Sequence, residues 1–279
     1  MLHLVTDTTA YLPARFTERW SIHTVPLKVT MGNQAIDEDK VSLQRFYEHL
    51  AVVETAPFTS QPAPGEFMQL YEQLTRNGDE VLSIHISSGL SGTARVAQLA
   101  AEEIAPDLIT VIDSESATCG LALMLSVAVE ALEAGQSRAE IADRITKIRE
   151  IYAGIFLVET LEYLKKGGRI NGAAKFLGNV LQLRPLLYMN TGKIEGLTVA
   201  RTRKRGMQQL LDEVEKRVGS GPLRIAVTHI QCAEDAERLA EQAQARFDCA
   251  DFFIHETGPV IGSHVGPGFV GLAACPAQL

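Results

Sequence analysis

Val81-Leu82-Ser83-Ile84-His85-Ile86 runs directly into Ser87-Ser88-Gly89-Leu90-Ser91-Gly92-Thr93, and Leu108-Ile109-Thr110-Val111-Ile112 follows after a helical stretch ending at Ile104. A short apolar run, a small polar turn, an amphipathic helix and a second apolar run make a β-α-β unit. Strands joined through a helix lie parallel, because no hairpin can connect them. The pattern extends outward. His3–Thr6 and Ile22–Val29 read as further strands, and Leu12–Trp20, Leu43–Leu50, Gly65–Thr75, Thr93–Ile104, Leu121–Ala134 and Arg138–Ile151 read as helices. Ser137 opens the last of these with Glu140 three places on, a capping box. The strand ends run into Thr6-Asp7-Thr8-Thr9, the serine loop and Asp113-Ser114. In open parallel sheets ligands bind at those carboxyl ends. Residues 1–154 are therefore expected to form a three-layer α/β/α domain with a parallel sheet.

The second half reads differently. Ala153–Val158 is an apolar run, followed by a short helix and the turn Lys166-Gly167-Gly168-Arg169. Leu186–Met189 and Ile194–Val199 flank Asn190-Thr191-Gly192-Lys193, a hairpin with glycine in the turn. A helix at Lys204–Val218, a strand at Leu223–Ile230, a helix at Ala233–Arg246 and a strand at Ala250–Glu256 follow. Residues 155–279 are expected as a two-layer α/β domain with a mixed sheet and helices on one side.

The chain has 279 residues, 46% hydrophobic and 22% charged, which excludes a disordered or fibrous chain. With 26 basic against 34 acidic residues the net charge is −8, which argues against a nucleic-acid partner. Cys119, Cys232, Cys249 and Cys275 form neither a zinc pattern nor a disulfide scaffold. Leu121–Val129 is too short to span a bilayer, and Met1–Asp7 has no signal-peptide features. A cytoplasmic protein without membrane insertion is expected.

Familiar catalytic motifs fail. Gly266-Pro267-Gly268-Phe269-Val270-Gly271 has the spacing of a dinucleotide loop, but the helix and the acidic residue about 20 positions on are missing. Gly89-Leu90-Ser91-Gly92 falls short of a nucleophile elbow, because Thr93 holds the last glycine position. Three polar segments remain: Thr59-Ser60-Gln61-Pro62-Ala63-Pro64-Gly65, Ser87–Thr93, and Gly258-Pro259-Val260-Ile261-Gly262-Ser263-His264-Val265-Gly266-Pro267-Gly268. Helix capping alone accounts for the first. The second holds more hydroxyls than a cap needs and could receive an anion. In the third, a structural and a functional His264 are about equally matched. Arg201, Arg203, Lys204 and Arg205 open a predicted helix, where cations oppose the dipole. A solvated surface or the docking of an acidic partner would account for them.

Taken in order along the chain, these segments resemble the DegV family of bacterial fatty-acid-binding proteins, which includes the B subunit of fatty acid kinase. The likeness rests on Thr6-Asp7-Thr8-Thr9-Ala10, Pro26-Leu27, Thr59-Ser60-Gln61-Pro62, Ser87–Thr93, Asp113-Ser114, Leu161–Ile170 and Gly258–Gly268. It implies two α/β domains with a long-chain fatty acid between them and no cofactor. It implies a carboxylate held by Thr59, Ser91 and His264, with Arg169 beside them. Ser60, Ser88, Gly92 and Thr93 would complete the headgroup loops. The resemblance also implies a separate ATP-binding kinase subunit that phosphorylates the bound acyl group, docked through Arg201 and Arg203. His85 and Arg95 depart from the pattern and would add polarity around the serine loop. Two other readings stay open: a free-standing acyl hydrolase or transferase using Ser91 and His264, and a regulatory protein in which lipid is a structural plug.

Overall fold

The computed structural model describes residues 1–52, 57–176 and 183–278. The first half contains β1 (Leu2–Asp7), α1 (Ala14–Arg19), β2 (Ile22–Val25), β3 (Lys28–Met31), β4 (Gln34–Asp37), α2 (Leu43–Val52), β5 (Phe58–Ser60), α3 (Pro64–Thr75), β6 (Glu80–His85), α4 (Thr93–Ile104), β7 (Ile109–Asp113), α5 (Thr118–Glu133) and α6 (Arg138–Ile151). A parallel sheet has the order β2-β1-β6-β7. Alternation along its strands sorts the two faces. Leu4, Leu82, Ile84 and Ile112 pack against α5 and α6. Val5, Val81 and Ile109 pack against Phe67 and Tyr71 of α3 and Val96 and Ala97 of α4. This is the expected α/β/α layering.

The expected single strand Ile22–Val29 is instead two strands in different sheets. Pro26 supplies no N–H for a ladder, and the chain leaves the parallel sheet there. β3 then pairs antiparallel with β4 and β5 in a small second sheet that sequence reading did not foresee.

The second half contains β8 (Ala153–Leu157), α7 (Glu162–Lys166), β9 (Arg184–Asn190), β10 (Lys193–Ala200), α8 (Arg203–Val218), β11 (Leu223–His229), α9 (Ala233–Arg246), β12 (Cys249–Glu256), α10 (Pro259–Val265) and β13 (Val270–Pro276). The mixed sheet has the order β10-β9-β8-β13-β11-β12. Thr191 (φ 43°) and Gly192 (φ 76°) make the tight turn between β9 and β10, as the glycine suggested. Neither α10 nor β13 was expected, and β13 pairs with both β8 and β11 inside the sheet.

Helices α8 and α9 cover one face of this sheet, against Ile225, Val227, Leu272 and Ala274. The other face is not bare. The small side chains Ala226, Ala273 and Cys275 meet α5, which also packs on β6. Leu121, Leu123, Met124 and Leu125 are wholly buried, so α5 is apolar on almost every side. Arg224 of β11 grips both carboxylate oxygens of Glu130 at 2.5 and 2.6 Å and fixes the helix on the sheet.

Candidate functional site

The serine loop leaves β6 and turns back into α4. Ser87 is its wholly buried anchor. Its N–H donates to the Ser116 carbonyl (2.8 Å), its hydroxyl donates to the Gly192 carbonyl (2.6 Å), and its carbonyl accepts from Leu90 and Ser91 (both 3.0 Å). The β9–β10 turn thus holds the loop from the opposite half of the molecule. Glycine is needed at Gly89, where the close neighbour is backbone, while at Gly92 it admits the Gln61 side chain. A Cβ at Gly89 would lie 2.3 Å from the Gly192 carbonyl, and one at Gly92 would lie 2.0 Å from Gln61 Oε1. The loop presents Ser91, whose hydroxyl shares a 2.9 Å hydrogen bond with Thr93.

Thr59 sits on β5, in register with Val29. Its Oγ1 lies 2.8 Å from Nε2 of His264, in the last turn of α10. Pro259 starts this helix, and Gly266 (φ 76°) ends it. His264 Nδ1 is buried without a hydrogen-bond partner among the described residues. Burial, and secondarily the Arg169 guanidinium, lower the imidazole pKa to about 4. His264 is therefore neutral near pH 7, with one donor and one acceptor nitrogen. With the proton on Nε2, the Thr59 hydroxyl accepts from the ring and keeps its own proton for a ligand oxygen. Arg169 donates from Nε to the Leu90 carbonyl (3.1 Å) and from Nη1 to the Gly167 carbonyl (2.6 Å). It ties the turn after α7 to the serine loop.

These side chains border a cavity of about 350 Å³. Ligand pockets start at about 300 Å³. Thr59, Ser60, Gln61, Ser91, Gly92, Arg169 and His264 contribute its polar lining. The remainder is mostly apolar, including Leu27, Ile86, Phe156, Met189, Ile261 and Phe269. Gly120, Gly154 and Gly271 also line it, and their missing side chains let Ser116, Tyr152 and Phe156 pack close behind the wall. Both halves of the chain supply walls. An amphiphile with an acceptor-rich head and a long apolar tail matches this lining.

Of the sequence-predicted residues, Thr59, Ser60, Ser91, Gly92, Arg169 and His264 meet around one cavity. Thr93 is buried behind Ser91. Ser88 is exposed, and its N–H donates to the Asp113 carboxylate (3.2 Å). Arg203 is turned inward onto Asp235, Glu159 (2.6 Å) and the Gly268 carbonyl (2.8 Å), whereas Arg201 is exposed. His85 does not lie against the serine loop as expected. Its ring lies under α3 against Phe67, with Nδ1 3.0 Å from Asp7 Oδ2 and Nε2 2.6 Å from the Ser83 hydroxyl. Nor does a hydrogen bond join Ser91 to His264, whose Nε2 is on Thr59. Ser116 and Thr118, beside the start of α5, also line the cavity and carried no sequence signal beyond being small and polar. Among the described residues no group of three or more His, Cys, Asp or Glu could hold a metal ion. No described helix is long and apolar enough to cross a membrane.

Residues 1–277 match the model of a family described as uncharacterised protein, DegV family. A DegV domain-containing protein of Streptomyces coelicolor is 36% identical over 271 residues, covering 96% of each chain. Protein DegV of Bacillus subtilis is 32% identical over 275 residues, covering 98% of each chain. Among solved structures, a DegV family protein from Thermus thermophilus described for its fatty acid binding superposes with a TM-score of 0.94 at 33% identity over 99% of both chains. DegV from Bacillus subtilis, described as a fatty acid binding protein, superposes at 0.87 with 31% identity over 98% of both chains.

Proposed function

The chain belongs to the DegV family, and from that premise we propose that it binds a long-chain fatty acid and presents the carboxylate to an ATP-dependent fatty acid kinase partner for acyl-phosphate formation. The observation that carries this reading is the cavity itself, whose lining joins a hydroxyl, imidazole and guanidinium cluster at Thr59, Ser91, His264 and Arg169 to a larger set of apolar side chains. About 15 buried methylenes at about 0.8 kcal/mol each give roughly 12 kcal/mol gross, so the tail supplies most of the affinity. The buried carboxylate still needs donors, or it costs several kcal/mol. Thr59 and Ser91 would supply them directly, with His264 holding the Thr59 hydroxyl so that its proton faces the ligand.

The state of Arg169 suits presentation to a partner. Its Nε and Nη1 already serve the Leu90 and Gly167 carbonyls, so the fork through Nε is taken and cannot cover both ligand oxygens. An oxygen held by neutral donors stays available to an incoming phosphoryl group. The chain would need no cofactor and would catalyse nothing alone. Arg201 would contribute to the docking surface.

The test is to extract natively purified protein with organic solvent and identify the lipid by mass spectrometry. Near-stoichiometric long-chain fatty acid is expected. An empty extract, with no uptake of added fatty acid, would sink the proposal. Acyl-phosphate should form only when ATP and the kinase subunit are both added.

A further inference from the structure

Helix α10 does two jobs at once. Val260, Ile261, His264 and Val265 line the acyl cavity, while the start of the helix is seated on a buried carboxylate from the other half of the chain. That carboxylate is Glu38, just after β4 and 4% exposed. Its Oε1 accepts from the Tyr11 hydroxyl (2.6 Å) and from the Val260 N–H (2.7 Å). The Tyr11 oxygen in turn accepts from the Ile261 N–H (3.3 Å). The fit is close: a Cβ at Gly258 would lie 2.4 Å from the Tyr11 ring and 3.0 Å from Glu38 Oε1. The Glu38 backbone is itself tied to the Leu27 carbonyl (2.8 Å).

We propose that Glu38 is a positioning residue for the acyl site: its ionisation sets how firmly α10 is seated and, through α10, how fast a bound fatty acid leaves. The release half of this statement rests on the fatty-acid reading above; the seating half does not.

The sign follows from burial. Desolvation raises the Glu38 carboxyl from 4.5 to about 7, against the hydrogen bonds from Thr8, Tyr11 and Val260 that favour the anion. Unseating α10 would let water reach Glu38 and return it to its ordinary range. Seating therefore takes up a proton between those two values, and rising pH opposes it. Other titratable groups surround the site: Asp7 of β1, Tyr11, the adjacent Asp39, Tyr47 of α2, and His255 and Glu256 of β12. Arg169 and His264 lie toward the far end of α10. Burial pushes Tyr11 and Tyr47 upward and His255 down to about 3, so none of these three changes charge between pH 6 and 8. For full exposure on unseating, the opening constant rises about tenfold from pH 6 to pH 8.

The test is stopped-flow dissociation of a fluorescent long-chain polyene fatty acid over that range. The unaltered protein should release about tenfold faster at pH 8 than at pH 6. Glu38→Gln keeps an acceptor oxygen but carries no charge, and should release slowly at every pH. Tyr11→Phe removes a donor that favours the anion and should move the midpoint to higher pH. Amide hydrogen-exchange protection factors of residues 260–265 in ligand-free protein should fall with pH in the same way, and not in Glu38→Gln. A Glu38→Gln protein with the original pH dependence in both measurements would overturn the proposal. A protein that takes up no fatty acid would instead remove the fatty-acid reading, and the exchange data alone would then decide the role of Glu38.

Discussion

Thr59→Val is the sharpest test of the headgroup assignment. Valine keeps the branched shape that suits β5 but removes the hydroxyl that lies 2.8 Å from His264 Nε2. The ligand carboxylate loses one donor and the imidazole loses its partner. A hydrogen bond to a charged group is worth roughly 1.5–3 kcal/mol, which converts to about 10- to 150-fold in Kd. The tail contacts are untouched. Binding free energy plotted against acyl chain length should therefore give two parallel lines for the native and variant proteins, each gaining up to about 0.8 kcal/mol per methylene. Titration calorimetry with a series of saturated acids at pH 7.5 measures both slope and offset. Thr59→Ser, which restores the hydroxyl, should return most of the loss. Unchanged affinity in a folded Thr59→Val protein would refute the placement of the carboxylate. So would an offset that grows with chain length, since the threonine would then be touching the tail.

Other perturbations have equally definite outcomes. His255 is held neutral by burial, its pKa lowered to about 3, and both ring nitrogens lack partners among the described residues. Its folded value lies below its unfolded one, so its contribution is present above pH 6.5 and is lost as pH falls. About 2 kcal/mol should vanish between pH 7 and pH 5, and urea unfolding of His255→Asn should show a flatter acid limb. Arg203→Ala breaks contacts to Asp235, Glu159 and the Gly268 carbonyl and should lower the melting temperature, whereas Arg201→Ala should leave it unchanged. Partner docking is to be tested with Arg201, since any effect at Arg203 would mix docking with folding. Gly154→Val builds into the cavity wall, where a Cβ already meets Tyr152 at 2.9 Å. The lipid extracted from that variant should be shorter or scarcer than from the native protein.

Sequence periodicity revealed the helices almost residue for residue where an amphipathic face or a cap marked them, as at α4, α6 and α9. It failed where burial on both sides erases alternation. Val270-Gly271-Leu272-Ala273-Ala274-Cys275 is wholly buried and built largely of small residues, so nothing in its pattern announces a central strand. Helix α10 carries Pro259 at its start and Gly266 after its end, but Gly262 and the valines within it read as loop. Pro26 marks a break, yet Ile22–Val29 is apolar enough to pass as one strand. Ser91 stands out in a run with more hydroxyls than a cap needs, whereas Thr59, which capping accounts for, is singled out only by the family resemblance. Their convergence with His264 could not be read from spacing, because it depends on α10 crossing to β5. The inward turn of Arg203 was equally hidden, since a basic cluster in sequence says nothing about which guanidinium finds a carboxylate.

Helix α5 has a consequence for how the molecule is made. Helix α5 ends at residue 133, yet two strands that pack on one of its sides come later: β11, and β13 at residues 270–276, the last described strand in chain order. A nascent chain must therefore carry a greasy helix with one side incompletely covered while residues 134–270 are made. Ribosome-bound intermediates should recruit chaperones until the final strand slots between β8 and β11. A premature stop anywhere before residue 270 would leave that side open permanently, marking the truncated product for proteolysis rather than for partial function.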